Sequence, residues 1–203
     1  MEKIENTTTN ENTKKKYKVI YADPPWDYGN TKNLDGEFWG IAEKHYPIMK
    51  FKDICDLPIQ NIADDDCFLF LWTTSPFLEK TFEVIKKWGF KYCTVGFVWV
   101  KTRNDSDDIR ADGLGKYTIS NAEYCIIARK GKYWREARNV KQIIMHPKMV
   151  HSAKPKEIRD RIVALCGDVP RVELFARDTC EGWDSIGLEI DGQDIREVLK
   201  TYE

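Results

Sequence analysis

The sequence predicts an α/β domain with a mainly parallel central sheet and helices on both faces. From residue 17 onward, short apolar runs rich in β-branched and aromatic residues alternate with runs of helical period. Some of these short runs are apolar at nearly every position, as a strand covered on both faces must be. The chain of 203 residues, 42% hydrophobic and 12% aromatic, is long enough for one full core.

Residues 1–16 are rich in Thr, Asn, Glu and Lys and nearly devoid of apolar side chains, so they are expected to form a disordered tail before a single domain spanning 17–203. Lys18–Ala22 reads as a buried strand. Residues 27–50 make a long excursion carrying Tyr28, Phe38, Trp39, His45 and Tyr46. "CFLFLWTT", 67–74, is a second strand, too apolar to face water on either side. "SPFLEKTFEVIKKWG", 75–89, predicts a helix with Ser75 as N-cap, Pro76 in its first turn and Gly89 at its end. Its expected core stripe is Phe77, Leu78, Phe82, Ile85 and Trp88. "YCTVGFVWV", 92–100, and "AEYCIIAR", 122–129, are further strands, separated by a polar, glycine-containing stretch, 101–117, that reads as a long mobile loop. "KPKEIRDRIVALCG", 154–167, predicts a helix and "RVELFAR", 171–177, the strand after it. Ligands of such sheets bind beyond the carboxyl ends of strands, where Asp23 and Arg177 fall.

Composition narrows the function. No apolar run approaches the roughly 20 residues of a membrane span, and the N-terminus has no apolar signal core. Cys55, Cys67, Cys93, Cys125, Cys166 and Cys180 lack paired spacing, and most sit in apolar runs. They read as reduced thiols of a cytoplasmic protein rather than a disulfide frame or zinc site. His45, His146 and His151 are dispersed, so no metal centre is expected; the last two lie in the basic stretch, near phosphates or on plain surface. Net charge is −1, but residues 130–161 hold ten Lys/Arg against three acids, a local +7. That segment is either an electrostatic footprint for nucleic-acid phosphates or a solvated face.

The stretch "YADPPWDYGN", 21–30, carries the chemistry. A strand does not run on through two prolines, each lacking an N–H. An acid, two rigid residues and a large aromatic then follow in four positions. These suit a planar exocyclic amine of a nucleobase, whose lone pair is delocalised into the ring. Asp23 offers a carboxylate acceptor and Pro24 a backbone carbonyl. Pro25 biases Pro24 to an extended conformation. Acceptors held ready for both N–H groups pull the nitrogen towards tetrahedral geometry, which is electrostatic preorganisation. Trp26 would offer a stacking face worth roughly 1–3 kcal/mol, offsetting part of the cost of flipping a base from a duplex. The plainer alternative is a strand-ending turn followed by a core tryptophan.

"DPPW" after a strand resembles the signature of the MT-A70 family of S-adenosyl-L-methionine-dependent adenine methyltransferases. In the same order, "HYPIM" (45–49), "CFLFLWTT", "SAKPKEI" (152–158) and "VELFARDTCEGWDSIGLE" (172–189) resemble further segments of that family, so the similarity covers about residues 17–192. The resemblance implies a Rossmann-like methyltransferase fold with the acceptor motif ahead of the cofactor segment. It implies catalytic roles for Asp23, Pro24, Pro25 and Trp26. It places S-adenosyl-L-methionine against Ala22, Asp23, Lys154, Arg177 and Glu189, and the acceptor base against Tyr46, Glu123 and Trp26. Two cations facing a cofactor carboxylate form a sensible charge-assisted pairing. The family often carries Asn before the position of Glu189, where this chain has Leu188. The implied substrate is the N6 amine of adenine, in DNA ahead of RNA, bound through the 130–161 segment. A non-catalytic nucleic-acid-binding subunit is the alternative of another class, and a homo- or hetero-dimer stays open. No phosphate-binding glycine loop of the GxGxxG or GxxxxGK[ST] kind is present.

Overall fold

The computed structural model describes residues 15–28, 48–110, 117–132, 134–149 and 153–202. Seven strands form one sheet: β1 (Tyr17–Ala22), β2 (Ala63–Thr73), β3 (Lys91–Thr102), β4 (Ala122–Lys130), β5 (Ile143–Pro147), β6 (Arg171–Leu174) and β7 (Asp184–Ile186), in the order β5-β3-β4-β2-β1-β6-β7. Four pairings are parallel, and β4 runs against both of its neighbours. The sheet is therefore mainly parallel, as expected. The helices are α1 (Phe51–Cys55), α2 (Leu78–Lys87), α3 (Glu157–Cys166), α4 (Leu188–Asp191) and α5 (Ile195–Lys200).

Alternation along β2 builds both halves of the core. Cys67, Leu69 and Leu71 face one side, packed with Ile54 of α1, Val84 and Ile85 of α2 and Leu199 of α5. Phe68, Phe70 and Trp72 face the other, packed with Ile158, Ile162 and Cys166 of α3. From Cys67 to Thr73 every residue of β2 is buried, which is why the sequence shows no polar face there.

The 75–89 segment departs from its prediction. It opens as a 3-10 turn, Ser75–Phe77, and α2 starts only at Leu78; Ser75 makes no side-chain cap. Phe77, Ile85 and Trp88 are buried, but Phe82 is exposed, set edge-on against Tyr92, and Thr81 takes a core position by donating to the Thr73 hydroxyl at 2.7 Å. Gly89 ends the segment at φ +80, as its type suggested.

β3 runs on to Thr102, and the stretch beyond turns back on it. Arg103 N–H donates to Asp108 O and Arg110 N–H to Lys101 O, both at 2.9 Å. The start of the expected mobile loop is thus a hydrogen-bonded turn, while 111–116 lie outside the described residues. So do 1–14 of the expected tail and most of the 27–50 excursion, including His45 and Tyr46. The strand expected over 171–177 stops at Leu174, because Phe175 adopts φ +60. Elements β5, β7, α1, α4 and α5 were not expected. Among the described residues no helix is long and apolar enough to cross a membrane. Cys55, Cys67, Cys125 and Cys166 are buried free thiols, and burial pushes Cys166 up to about 12.

Candidate active site

Parallel strands bring their carboxyl ends to one edge of the sheet, and antiparallel β4 brings its start to the same edge. Asp23 follows β1, Thr73 closes β2 and Thr74 follows it, Lys101 lies near the end of β3, Glu123 near the start of β4, and Arg177 follows β6. The two prolines shape the turn after β1. Trp26 N–H donates to Pro24 O at 2.9 Å, and Met49 N–H donates to Pro25 O at 2.9 Å. Pro24's carbonyl is thereby fixed within a three-residue turn, and a carbonyl oxygen has a second lone pair.

Four charged groups alternate in sign across this edge. Lys101 Nζ lies 2.6 Å from Glu123 Oε1, Lys154 Nζ 3.3 Å from Glu123 Oε2, and Lys154 Nζ 2.6 Å from Asp23 Oδ2. Lys101 reaches Glu123 as a diagonal cross-strand pair, since Glu123 sits opposite Trp99 in the β3–β4 register. Each ammonium also lies over an indole, Lys154 over Trp72 at 5.4 Å and Lys101 over Trp99 at 5.2 Å. Burial by itself raises the Glu123 carboxyl, but Lys154 and Lys101 together hold it below the usual carboxylate range. Burial disfavours the Lys154 ammonium; Asp23 and Glu123 outweigh it and carry its pKa above that of an ordinary lysine.

Two clefts meet at this cluster. One is lined by Tyr21, Asp23, Lys154, Arg159, Arg177 and Glu189, among others. The second is lined by Asp23, Pro24, Tyr28, Thr73, Thr74 and Glu123, together with Lys154 and Arg177. Asp23, Lys154 and Arg177 form their shared wall. In the first cleft Arg159 bridges Glu173 and Asp178, at 2.6 Å each, and Arg177 stands 3.7 Å from Glu189. Burial raises the Glu173 carboxyl, and Arg159 opposes that rise. Gly187 is needed where β7 leaves the sheet, because a Cβ there would lie 2.1 Å from Ala176 O, beside Arg177.

The structure thus gathers Asp23, Pro24, Glu123, Lys154, Arg177 and Glu189. Ala22 is fully buried, so only its backbone is available to the cleft. Tyr46 lies outside the described residues. Trp26 does not match its expected place. It is 5% exposed, stacked on Phe77 at 5.2 Å and 17°, with its indole N–H on Trp72 O at 3.3 Å, and it lines neither cleft. The tryptophan is a core residue, and its apolar burial explains why it can anchor the turn. Pro25 likewise lines neither cleft.

The 130–161 segment is not one footprint. Lys132 N–H bonds Asp66 Oδ1 at 2.6 Å near the start of β2, and Glu136 N–H bonds Leu165 O at the end of α3, both at the edge opposite Asp23. Cys67 to Thr73 alone spans about 20 Å at the usual strand rise. Arg159 and Arg161 are committed to Glu173, Asp178 and Glu157, and Lys154 to the cluster. Of the segment's exposed cations, Lys156 lines the first cleft, and Lys148 directly precedes Met149, which lines it too. Lys101 was not expected at the site, while Tyr28 was expected only as one aromatic of the 27–50 excursion and Arg159 only as one cation of the basic segment. The only local signal was for Lys101, a lysine ending an otherwise apolar strand.

The model of the MT-A70 family matches residues 17–189. The chain is 38% identical over 197 residues to "Type II methyltransferase M.MunI" of Mycoplasma sp, covering 90% of this chain and 81% of that protein. It is 29% identical over 180 residues to "N(6)-adenosine-methyltransferase subunit METTL3" of Danio rerio and 28% identical over 181 residues to the METTL3 catalytic subunit of Homo sapiens, covering 87% of this chain in each case. It spans only 28% and 29% of those two longer proteins. With the strand-ending Asp-Pro-Pro turn at the junction of two clefts and the family pattern running from β1 to α4, the chain belongs to the MT-A70 family.

Proposed function

We propose that the protein transfers a methyl group from S-adenosyl-L-methionine to the N6 amine of adenine in DNA. The observation that carries the reading is the position of Asp23 on the wall shared by the two clefts, beside the fixed carbonyl of Pro24. DNA is favoured over RNA by the greater identity to the type II methyltransferase, a DNA-modifying class, than to the METTL3 proteins.

The first cleft has a donor set suited to the cofactor. Lys154 and Arg177 line it and would offer cationic hydrogen-bond donors to the cofactor carboxylate, Glu189 would accept from ribose hydroxyls, and Asp23 would set a negative charge against the sulfonium. When bound there, S-adenosyl-L-methionine supplies an electrophilic methyl group on sulfur. In the second cleft, Asp23 and Pro24 O accept the two N6–H bonds of adenine. Lys154 holds Asp23 by one oxygen, Oδ2, so the carboxylate keeps a fixed orientation towards the amine. The amine lone pair is drawn out of the ring, and the positive charge growing on nitrogen is met by Asp23 and Glu123. Lys101 keeps Glu123 ionised and in place. Pro25 and Trp26 act on the turn, one through its fixed φ and one through its burial. A cytoplasmic location agrees with this substrate.

The test is incubation of purified protein with tritiated cofactor and separate pools of unmethylated DNA and RNA, followed by digestion to nucleosides. Label in N6-methyl-deoxyadenosine is the expected result. Label only in the ribonucleoside overturns the substrate; no label in either, with cofactor bound, overturns catalysis by this chain alone and favours a subunit that needs a partner.

A further inference from the structure

We propose that Trp72 and Trp99 are positioning residues of the methyl-transfer site, each seating one lysine of the charge cluster on a locked indole face. This rests on the methyl-transfer reading above, whose site it deepens. Both tryptophans are fully buried and neither lines a cleft, so any effect on the reaction passes through the groups they touch.

Trp72 lies opposite Cys125 and Trp99 opposite Glu123 in the two ladders that flank β4. Both indoles therefore share the sheet face on which Glu123 stands. Each ring is fixed in rotation by its own N–H. Trp72 Nε1 donates to Tyr21 Oη at 2.7 Å, and Trp99 Nε1 donates to His146 O at 2.8 Å. Lys154 Nζ stands 5.4 Å from the centre of the first ring and Lys101 Nζ 5.2 Å from that of the second. Both lie within the reach of about 6 Å of a cation–π attraction, which strengthens when the cation is desolvated. Both lysines are largely buried.

The carboxylates by themselves leave the ammonium groups poorly located. A lysine carries a compact charge on a flexible stem, without the planar fork of an arginine, and each carboxylate offers two oxygens. A fixed ring face under each cation supplies the missing constraint. Trp72 has a second hold on the same geometry, because its carbonyl accepts from Trp26 Nε1 at 3.3 Å. One residue thus touches both the turn that carries Asp23 and the cation that grips Asp23. A leucine at either position would fill core volume but offer neither the face nor the N–H; a phenylalanine would keep a weaker face and lose the lock.

The test is single-turnover label transfer at saturating cofactor, with the nucleic-acid pool that the wild type labels, expected to be DNA. Trp72→Phe, Trp72→Leu, Trp99→Phe and Trp99→Leu are compared well below their own melting temperatures. A role in packing alone lowers the melting temperature and leaves the rate of the folded protein unchanged. Positioning lowers the rate about 10- to 100-fold in the leucine variants, the scale of a 1 Å misplacement, and less in the phenylalanine variants, which keep a face. The loss also depends on the cation. In a Lys154→Met background the Trp72 substitutions are expected to change the rate no more than about twofold, and the Trp99 substitutions likewise in Lys101→Met. Should the leucine variants fail to fold, Trp72→Phe and Tyr21→Phe decide. Tyr21→Phe leaves the indole and removes its acceptor, and is expected to lower the rate about 3- to 10-fold, the range of one hydrogen bond.

Rates within about twofold of wild type in the folded leucine variants, or in both Trp72→Phe and Tyr21→Phe, overturn the proposal alone. So does a loss that persists undiminished in the lysine-to-methionine backgrounds. Wild-type protein that labels neither DNA nor RNA overturns the methyl-transfer reading, and the positioning role falls with it.

Discussion

Replacing Lys154 with Met removes the cation between two carboxylates. Its side chain is 11% exposed and that of Glu123 9%, so solvent screens the loss poorly. Breaking a buried pair by deleting one partner costs about 3–5 kcal/mol, against total stabilities of about 5–15 kcal/mol. The cost should depend on pH, and the sign follows from Glu123. In the wild type its carboxyl titrates below the usual range, so its stabilising contribution is present at neutral pH and is lost only in acid. Lys154 titrates above the ordinary lysine range and stays charged from pH 5 to 9. In Lys154→Met only Lys101 opposes burial, and the Glu123 carboxyl rises. The variant then takes up a proton as pH falls, relieving about 1.4 kcal/mol for each unit of rise. Guanidinium denaturation at pH 8 and at pH 5.5 measures this. The expected result is a loss of about 3–5 kcal/mol at pH 8 that shrinks on acidification. An equal loss at both pH values, or one under about 1 kcal/mol at pH 8 as for a surface pair, would refute the coupling.

Asp23→Ala should lower kcat about 100- to 1,000-fold, the cost of losing one preorganised hydrogen-bonding group; single-turnover label transfer and a parallel melt check it, and unchanged turnover would sink the mechanism. Neutralising Lys148 and Lys156 should flatten the log–log salt slope of DNA binding by about 1–2 units, while neutralising Lys132, Arg135 and Arg138, grouped around the far-edge contacts of Lys132 and Glu136, should leave it alone. Fluorescence anisotropy across a salt series reads both. Ser185→Ala should be neutral or stabilising by about 1–2 kcal/mol, because the Ser185 hydroxyl is buried without a hydrogen-bond partner among the described residues. A melting temperature clearly below that of wild type would show that the hydroxyl has one.

Much of this protein was legible because its signals are local. The all-apolar run 67–73 announces a strand covered on both faces, and burial along β2 agrees. Two prolines after a strand force a turn whatever surrounds them, and Gly89 marks the end of its helix through a positive φ. Recurring local motifs also placed Asp23, Lys154, Arg177 and Glu189 near one another, through the family resemblance rather than through any derivation of contact. Short elements such as β5 and β7 have too few residues for a period to show, and they form because a neighbouring strand offers its edge.

What only the tertiary structure decided depends on which distant residues share an edge. The pair between Lys154 and Asp23 joins positions 131 residues apart. Lys101 meets Glu123 only because β4 alone runs backwards, which returns its start to the carboxyl edge of the others. The basic segment looked continuous in sequence, but a strand and a helix of opposite course carry its cations to opposite ends of the sheet. The exposure of an aromatic is likewise set by its neighbours. Trp26 and Tyr28 stand two residues apart in one turn, and Phe77, on another element, stacks on the first and meets the second in a T-shaped contact. Hydrophobic attraction is non-directional, so residue type states that both rings will bury surface, and packing decides that Trp26 goes into the core while Tyr28 lines a cleft.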